Sequence, residues 1–116
     1  MLYKVLKAKL HWVRVSSKDL NYEGSIVIDR DMMEEAGILP YESVLVVNVE
    51  TGDRFETYAI PGGKGEIKVN GGTARLAEVG DRLIIMTFAW MSPEEAREHR
   101  PKVLIFNDRN EVLARK

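Results

Sequence analysis

Four consecutive residues, Tyr22-Glu23-Gly24-Ser25, carry the sharpest chemistry in this sequence. A serine hydroxyl can attack the carbonyl of the residue before it where the backbone is strained enough to aim it. Glycine upstream permits that approach because it has no Cβ. The peptide then becomes an ester, the ester eliminates, and the residue left at the new N-terminus hydrolyses to a pyruvoyl group. Such a chain makes its own electrophilic carbonyl in place of a bound cofactor. The same residues also satisfy a structural reading, in which Gly24 turns the chain and Ser25 opens a strand.

Three other stretches hold polar groups with chemical potential. In Arg54-Phe55-Glu56-Thr57-Tyr58, strand alternation puts Arg54 and Tyr58 on one face and Thr57 on the other. A guanidinium forks a carboxylate bidentately, and a phenol can return a proton; a solvated edge strand would carry the same residues. Lys9 and His11 share a strand face and could supply positive charge to a dianionic ligand, or simply face solvent. Asn70-Gly71-Gly72-Thr73 is a turn whose successive amides could cradle an anionic oxygen.

The elements that must position these groups are mostly strands. Apolar residues occupy even positions Leu2, Leu6, Ala8, Leu10 and Trp12, which predicts one or two half-buried strands over Leu2–Val15. Ser16-Ser17-Lys18-Asp19 reads as a polar break. Further strands are predicted at Ser25–Ile28, Val44–Val49, Arg54–Ile60, Glu66–Asn70, Leu83–Trp90 and Val103–Phe106. Thr51-Gly52-Asp53 makes a hairpin turn, Pro61 to Gly65 a loop, and Asn107–Asn110 a turn. Two short helices are expected. One covers Asp29–Ala36, capped by Asp29 or Asp31 and ended by Gly37; the other opens at Ser92-Pro93-Glu94-Glu95 and stops before Pro101. The charged C-terminus is expected to fray. Ala36–Val47 and Ala77–Ile85 echo one another as loops feeding buried strands. Many short strands with two helices point to a small closed all-β barrel.

Composition narrows the function classes. The 116 residues suit one domain; 17 Lys and Arg against 18 Asp and Glu leave a net charge of −1, which argues against a protein that grips phosphate backbones. There is no cysteine, hence no disulfide or thiolate site, and the two histidines have no metal-ligand spacing, so no metal is expected. No apolar run is long enough to span a bilayer and the N-terminus lacks a secretory signature, so a cytoplasmic location is the expectation.

The set Lys9-Leu10-His11, Tyr22-Glu23-Gly24-Ser25, Ala36-Gly37-Ile38-Leu39, Arg54–Ile60, Val69-Asn70-Gly71 and Val79-Gly80-Asp81, in this order, resembles the pyruvoyl-dependent L-aspartate α-decarboxylase family. The resemblance runs from about Leu2 to Pro101. It implies a six-stranded double-psi β-barrel, a homotetramer with sites between subunits, and self-cleavage between Gly24 and Ser25. The products would be residues 1–24 (a β chain) and 25–116 (an α chain) bearing a pyruvoyl group derived from Ser25. It implies conversion of L-aspartate to β-alanine and CO2 through a Schiff base, feeding pantothenate synthesis. On this resemblance Tyr58 matches the proton donor, and Lys9, Arg54, Thr57, Gly71, Gly72 and Thr73 match substrate-contacting positions. Gly24, Ser25, Thr57 and Asn70 match positions tied to processing. Val47 stands where some relatives carry tryptophan, and the Pro61–Gly65 loop is shorter than in some members.

A second resemblance covers Gly24 to Val49 only. Gly24-Ser25-Ile26-Val27-Ile28-Asp29-Arg30 with Ala36-Gly37-Ile38-Leu39 is similar to half of a swapped-hairpin DNA-binding regulator. That segment carries Asp29, Asp31, Glu34, Glu35 and Glu42 against Arg30 alone, which is the wrong charge for a duplex.

Overall fold

Period-two alternation produces the longest strand, β1 (Tyr3–Arg14), in a computed structural model that describes residues 1–116. Its alternation changes phase partway. Ala8 and Leu10 are buried as the even-position pattern predicts, but burial then passes to Val13 and Val15. The register against its neighbour shifts between Leu6 and Ala8 and again between His11 and Val13. At the second shift Trp12 takes a left-handed backbone, φ 71°, and its indole faces outward. An extra residue in one strand flips every later side chain, which is why Trp12 leaves the core that its even position suggested.

The remaining elements are β2 (Ser17–Asp19), β3 (Ser25–Asp29), α1 (Arg30–Ala36), β4 (Ser43–Asn48), β5 (Arg54–Gly62), β6 (Ile67–Asn70), a 3-10 helix (Gly71–Leu76), β7 (Arg82–Met91), α2 (Pro93–Glu98), β8 (Lys102–Phe106) and β9 (Val112–Arg115). They form one mainly antiparallel sheet of order β2-β6-β3-β5-β4-β7-β1-β8-β9. Six contiguous strands, β6 to β1 in that order, make its body; β2 lies at one end and β8 and β9 at the other, so the sheet has nine strands around the expected six.

The two ends of the body are joined by the chain itself. β1 pairs with β7, and the same segment continues through Val15 and Ser16 into β2, which runs parallel to β6. At the junction the Ser16 N–H donates to the Ile67 carbonyl at 2.8 Å, and the Ile67 N–H donates to Ser16 Oγ at 2.9 Å. One N-terminal segment therefore closes the body of the sheet into a small β-barrel, with β8 and β9 extending it beyond β1. The polar run at Ser16–Asp19, expected as a break, is instead this closing strand.

Inside the barrel lies a single cluster of 22 buried apolar residues, including Leu10, Ile26, Ile28, Ile67, Leu83 and Ile85. Each such aliphatic side chain contributes ~1.5–3 kcal/mol on burial. Helix α1 seals one side with Met32, Met33 and Ala36. Asp29 caps it, accepting from the Asp31 N–H at 2.8 Å, while its second oxygen accepts from the Gly65 N–H at 2.7 Å and ties the β5–β6 loop to the helix start. Gly37, at φ 74°, ends the helix in the left-handed conformation that glycine tolerates best. In α2 the Ser92–Glu95 capping box is complete in both directions.

Two further expectations change. Pro61 and Gly62 extend β5 by pairing with Ile28 and Asp29. The C-terminus does not fray: β9 pairs antiparallel with β8, and Arg115 forms an ion pair with Glu35 of α1. β8 would otherwise present an open edge, and the last strand covers it.

Candidate active site

Ser25 is the first residue of β3, and β3 lies between β5 and β6, so its surroundings are set by both neighbours. Against β6 its partner is Asn70, and both residues are buried. The Ser25 hydroxyl donates to the Glu23 carbonyl at 3.1 Å and accepts from Asn70 Nδ2 at 3.2 Å. The serine is thus held from both sides, with its oxygen turned back onto its own upstream chain. Asn70 Oδ1 is buried and has no hydrogen-bond partner within the chain.

Upstream, Gly24 is exposed, and a Cβ on it would meet nothing within 4 Å. Gly71 packs directly on it with a left-handed backbone, φ 78°. Residues 71–76 form a 3-10 helix rather than a simple turn, and the Thr73 hydroxyl donates back to the Asn70 carbonyl at 3.1 Å. Gly72 is exposed and Thr73 half-buried, so the segment acts on Ser25 through Asn70 and Gly71.

From the other side β5 brings Tyr58. It is half-buried, pairs in register with Ser43, and its ring lies 6.2 Å from that of Tyr41. Ser25, Asn70 and Tyr58 line one cavity of about 390 Å³, together with Tyr22, Glu23, Val27, Tyr41, Ile60, Glu66 and Lys68. Thr57, half-buried opposite Val44, shares the alternation of Phe55 and Ala59, which are core residues.

Lys9, His11 and Arg54 stand outside this cavity. Arg54 opens β5, exposed and opposite Val47, and four residues of extended strand put its Cα about 13 Å from that of Tyr58. Lys9 lies on β1 between Met86 and Val103. His11 stacks on Trp12 at 4.9 Å and its Nδ1 is buried without a partner. Burial, and then the charges of Lys9 and Lys116, push its pKa below the ordinary imidazole value. One chain therefore assembles Gly24, Ser25, Tyr58 and Asn70 and leaves the cations Lys9 and Arg54 elsewhere.

Sequence reasoning passed over Tyr41 and Lys68 and gave Tyr22 no role. Lys68 had a readable signal, since it stands two residues before Asn70 on the same strand and so on the same face. Tyr41 had none, because its left-handed backbone, φ 68°, and its approach to Tyr58 depend on a loop. No group of three or more His, Asp or Glu side chains is placed to hold a metal ion, and no helix is long and apolar enough to cross a membrane.

The residues around Ser25 fit a group made from that serine: a buried hydroxyl aimed upstream, a glycine before it, and a buried amide with an idle oxygen beside it. The chain is similar to several aspartate 1-decarboxylases along nearly its whole length. An aspartate 1-decarboxylase from Desulfotalea psychrophila is 51% identical over 114 residues, covering 97% of this chain and 96% of the relative. That from Clostridium acetobutylicum is 51% identical over 114 residues, covering 97% and 90%. That from Phenylobacterium zucineum is 50% identical over 114 residues, covering 97% of each. The family profile described as aspartate decarboxylase matches residues 1–113, the whole barrel, whereas the regulator resemblance stops at Val49. With Ser25, Tyr58 and Asn70 gathered in one cavity of that barrel and the profile spanning nearly all of the sequence, the chain belongs to the aspartate decarboxylase family.

Proposed function

We propose that this protein converts L-aspartate to β-alanine and CO2 with a pyruvoyl group that it makes from Ser25. The observation that carries the reading is the buried Ser25 hydroxyl, held between the Glu23 carbonyl and the Asn70 amide and preceded by a glycine.

The maturation chemistry uses only this chain and water. Ser25 Oγ adds to the Gly24 carbonyl carbon, the Gly24–Ser25 C–N bond breaks, and an ester with a free amine on residue 25 results. Loss of the residue 25 Cα proton then expels the Gly24 carboxylate as the Cβ–O bond breaks. The enamine left on residue 25 tautomerises, and water replaces its nitrogen with release of ammonia. Asn70 Nδ2 is positioned to donate to the serine oxygen, and the Glu23 carbonyl accepts its proton in the resting state. The fragments are residues 1–24 and 25–116.

A pyruvoyl group at residue 25 would supply a ketone for the substrate amine and an electron sink for the pair released with CO2. The chain's own residues do the rest. Tyr58 Oη returns a proton to the substrate carbon from the cavity wall. Ile60 and Val27 give that wall an apolar stretch, which favours neutral CO2 over a carboxylate. Arg54 and Lys9 lie outside their own chain's cavity, so in this reading they reach the cavity of a neighbouring subunit in a homotetramer, where Arg54 forks a carboxylate. The reaction belongs to the supply of β-alanine for pantothenate, and a cytoplasmic location accords with that role.

Intact mass under denaturing conditions tests the reading. The parent protein should give two chains split at Gly24–Ser25, the longer one carrying a ketone where the serine amine was. Ser25→Ala should give one full-length, inactive chain. An active Ser25→Ala protein, or an active parent that is unbroken, overturns the reading.

A further inference from the structure

We propose that Lys68 binds the side-chain carboxylate of the substrate and so selects a dicarboxylic amino acid over a monocarboxylic one; this rests on the decarboxylase reading above. Strand register places it. Ser25 pairs with Asn70 and Val27 pairs with Lys68 across β3 and β6, so all four side chains leave the same face of this antiparallel pair. Lys68 stands one step of about 7 Å along β6 from the asparagine that holds Ser25. A substrate joined by its amine at residue 25 would extend its distal carboxylate along that face.

Charge supports the same assignment. Lys68 is the one cation among the ten residues lining the cavity, whose other charged members are Glu23 and Glu66. A dicarboxylate offers two anionic groups, so beside the carboxylate that Arg54 of a neighbouring subunit would fork there is a second for the one cation this chain itself places in the lining. Neither acid lies within ion-pair distance of the Lys68 ammonium: the chain's six ion pairs omit it. Glu66 is instead held by the Gly63 N–H at 2.9 Å. The ammonium rests 5.5 Å from the centroid of the Tyr22 ring, at the cavity wall. A half-buried lysine on a flexible stem, parked on an aromatic face rather than on a carboxylate, keeps its three donors available for an incoming one.

The test uses the processed protein and the four-carbon diacid succinate, with propionate as its monocarboxylic counterpart. Lys68→Met keeps length and removes charge. It should be cleaved like the parent by intact mass, bind succinate roughly tenfold to a hundredfold more weakly by calorimetry, as loss of one charge-assisted bond implies, and bind propionate unchanged. Its KM for aspartate should rise by a similar factor with kcat nearly preserved, Lys68→Gln should behave alike, and Lys68→Arg should restore succinate binding. Parental succinate affinity in both neutral variants overturns the inference alone, as does equal weakening of succinate and propionate, which would make Lys68 a shaper of the cavity. A parent that is active but uncut overturns the parent reading and this inference with it.

Discussion

A methyl group placed on Gly71 would stand 2.6 Å from the Gly24 Cα and 2.8 Å from the Gly24 nitrogen. Both are backbone atoms of the residue whose carbonyl Ser25 attacks in the proposed maturation, so neither can swing aside as a long side chain would. Gly71→Ala must push Gly24 off its position, and at φ 78° it also bears backbone strain of ~1–3 kcal/mol. The expected outcome is a folded, mostly uncut chain. Intact mass followed over time measures the cleavage, and a thermal melt shows that the barrel persists; cleavage at the parental rate would remove Gly71 from the machinery.

Tyr58→Phe removes one hydroxyl from the cavity and leaves the ring beside Tyr41. It should mature normally, because Ser25 has no bond to Tyr58. Turnover should fall by ~10²–10⁴, the usual contribution of a positioned general acid. Steady-state kinetics on fully cut protein decides it, and parental turnover would assign the proton to another group.

Arg54 and Tyr58 are too far apart along β5 to meet one substrate in the same chain, which gives a complementation test. Arg54→Ala and Tyr58→Phe should each be nearly inactive alone. Co-expressed, they should recover about a quarter of parental activity, since random mixing completes about one interface in four. Recovery of none would place both groups within a single subunit. Arg54→Lys should also weaken substrate use despite keeping its charge, because the two-pronged fork is lost.

His11 predicts a pH dependence of stability. Its folded-state pKa is lowered from 6.5, chiefly by burial and then by Lys9 and Lys116. As pH falls, the unfolded chain therefore takes up this proton before the folded one does. Stability contributed by the neutral imidazole is fully present above the unfolded value and is lost as pH drops through the folded value, at no more than about 1.4 kcal/mol per pH unit. Melting curves from pH 8 to pH 5 should show a smaller acid loss in His11→Gln than in the parent; equal losses would show that His11 is not the group responsible.

Local signals were the most legible. Asp29 and Gly37 bound α1, and Ser92 with Glu95 opens α2, because caps are written within a few residues of the end they satisfy. Gly24, Ser25, Tyr58 and Asn70 were singled out one by one, yet their meeting depends on β3 lying between β5 and β6, which is a property of the sheet order. Alternation alone points Trp12 into the core, because a bulge is invisible to an alternation count. Ser17–Asp19 looked like a break because its partner, Lys68–Asn70, lies far along the chain. The C-terminal strand is hidden for the same reason: β9 is short and half-exposed, and its pairing partner is the edge that β8 offers.

β1 runs between β7 and β8, and β2 continues from it along β6, so residues 1–24 are woven through the sheet on both sides of the seam. Severing the backbone after Gly24 would free no peptide while the barrel stands. It would change what happens after melting: two separate molecules, one of them a short piece, would have to find each other again. Refolding that is unimolecular in an uncut chain would become dependent on concentration, and on the proposed maturation heat or denaturant would undo the fold for good in dilute solution.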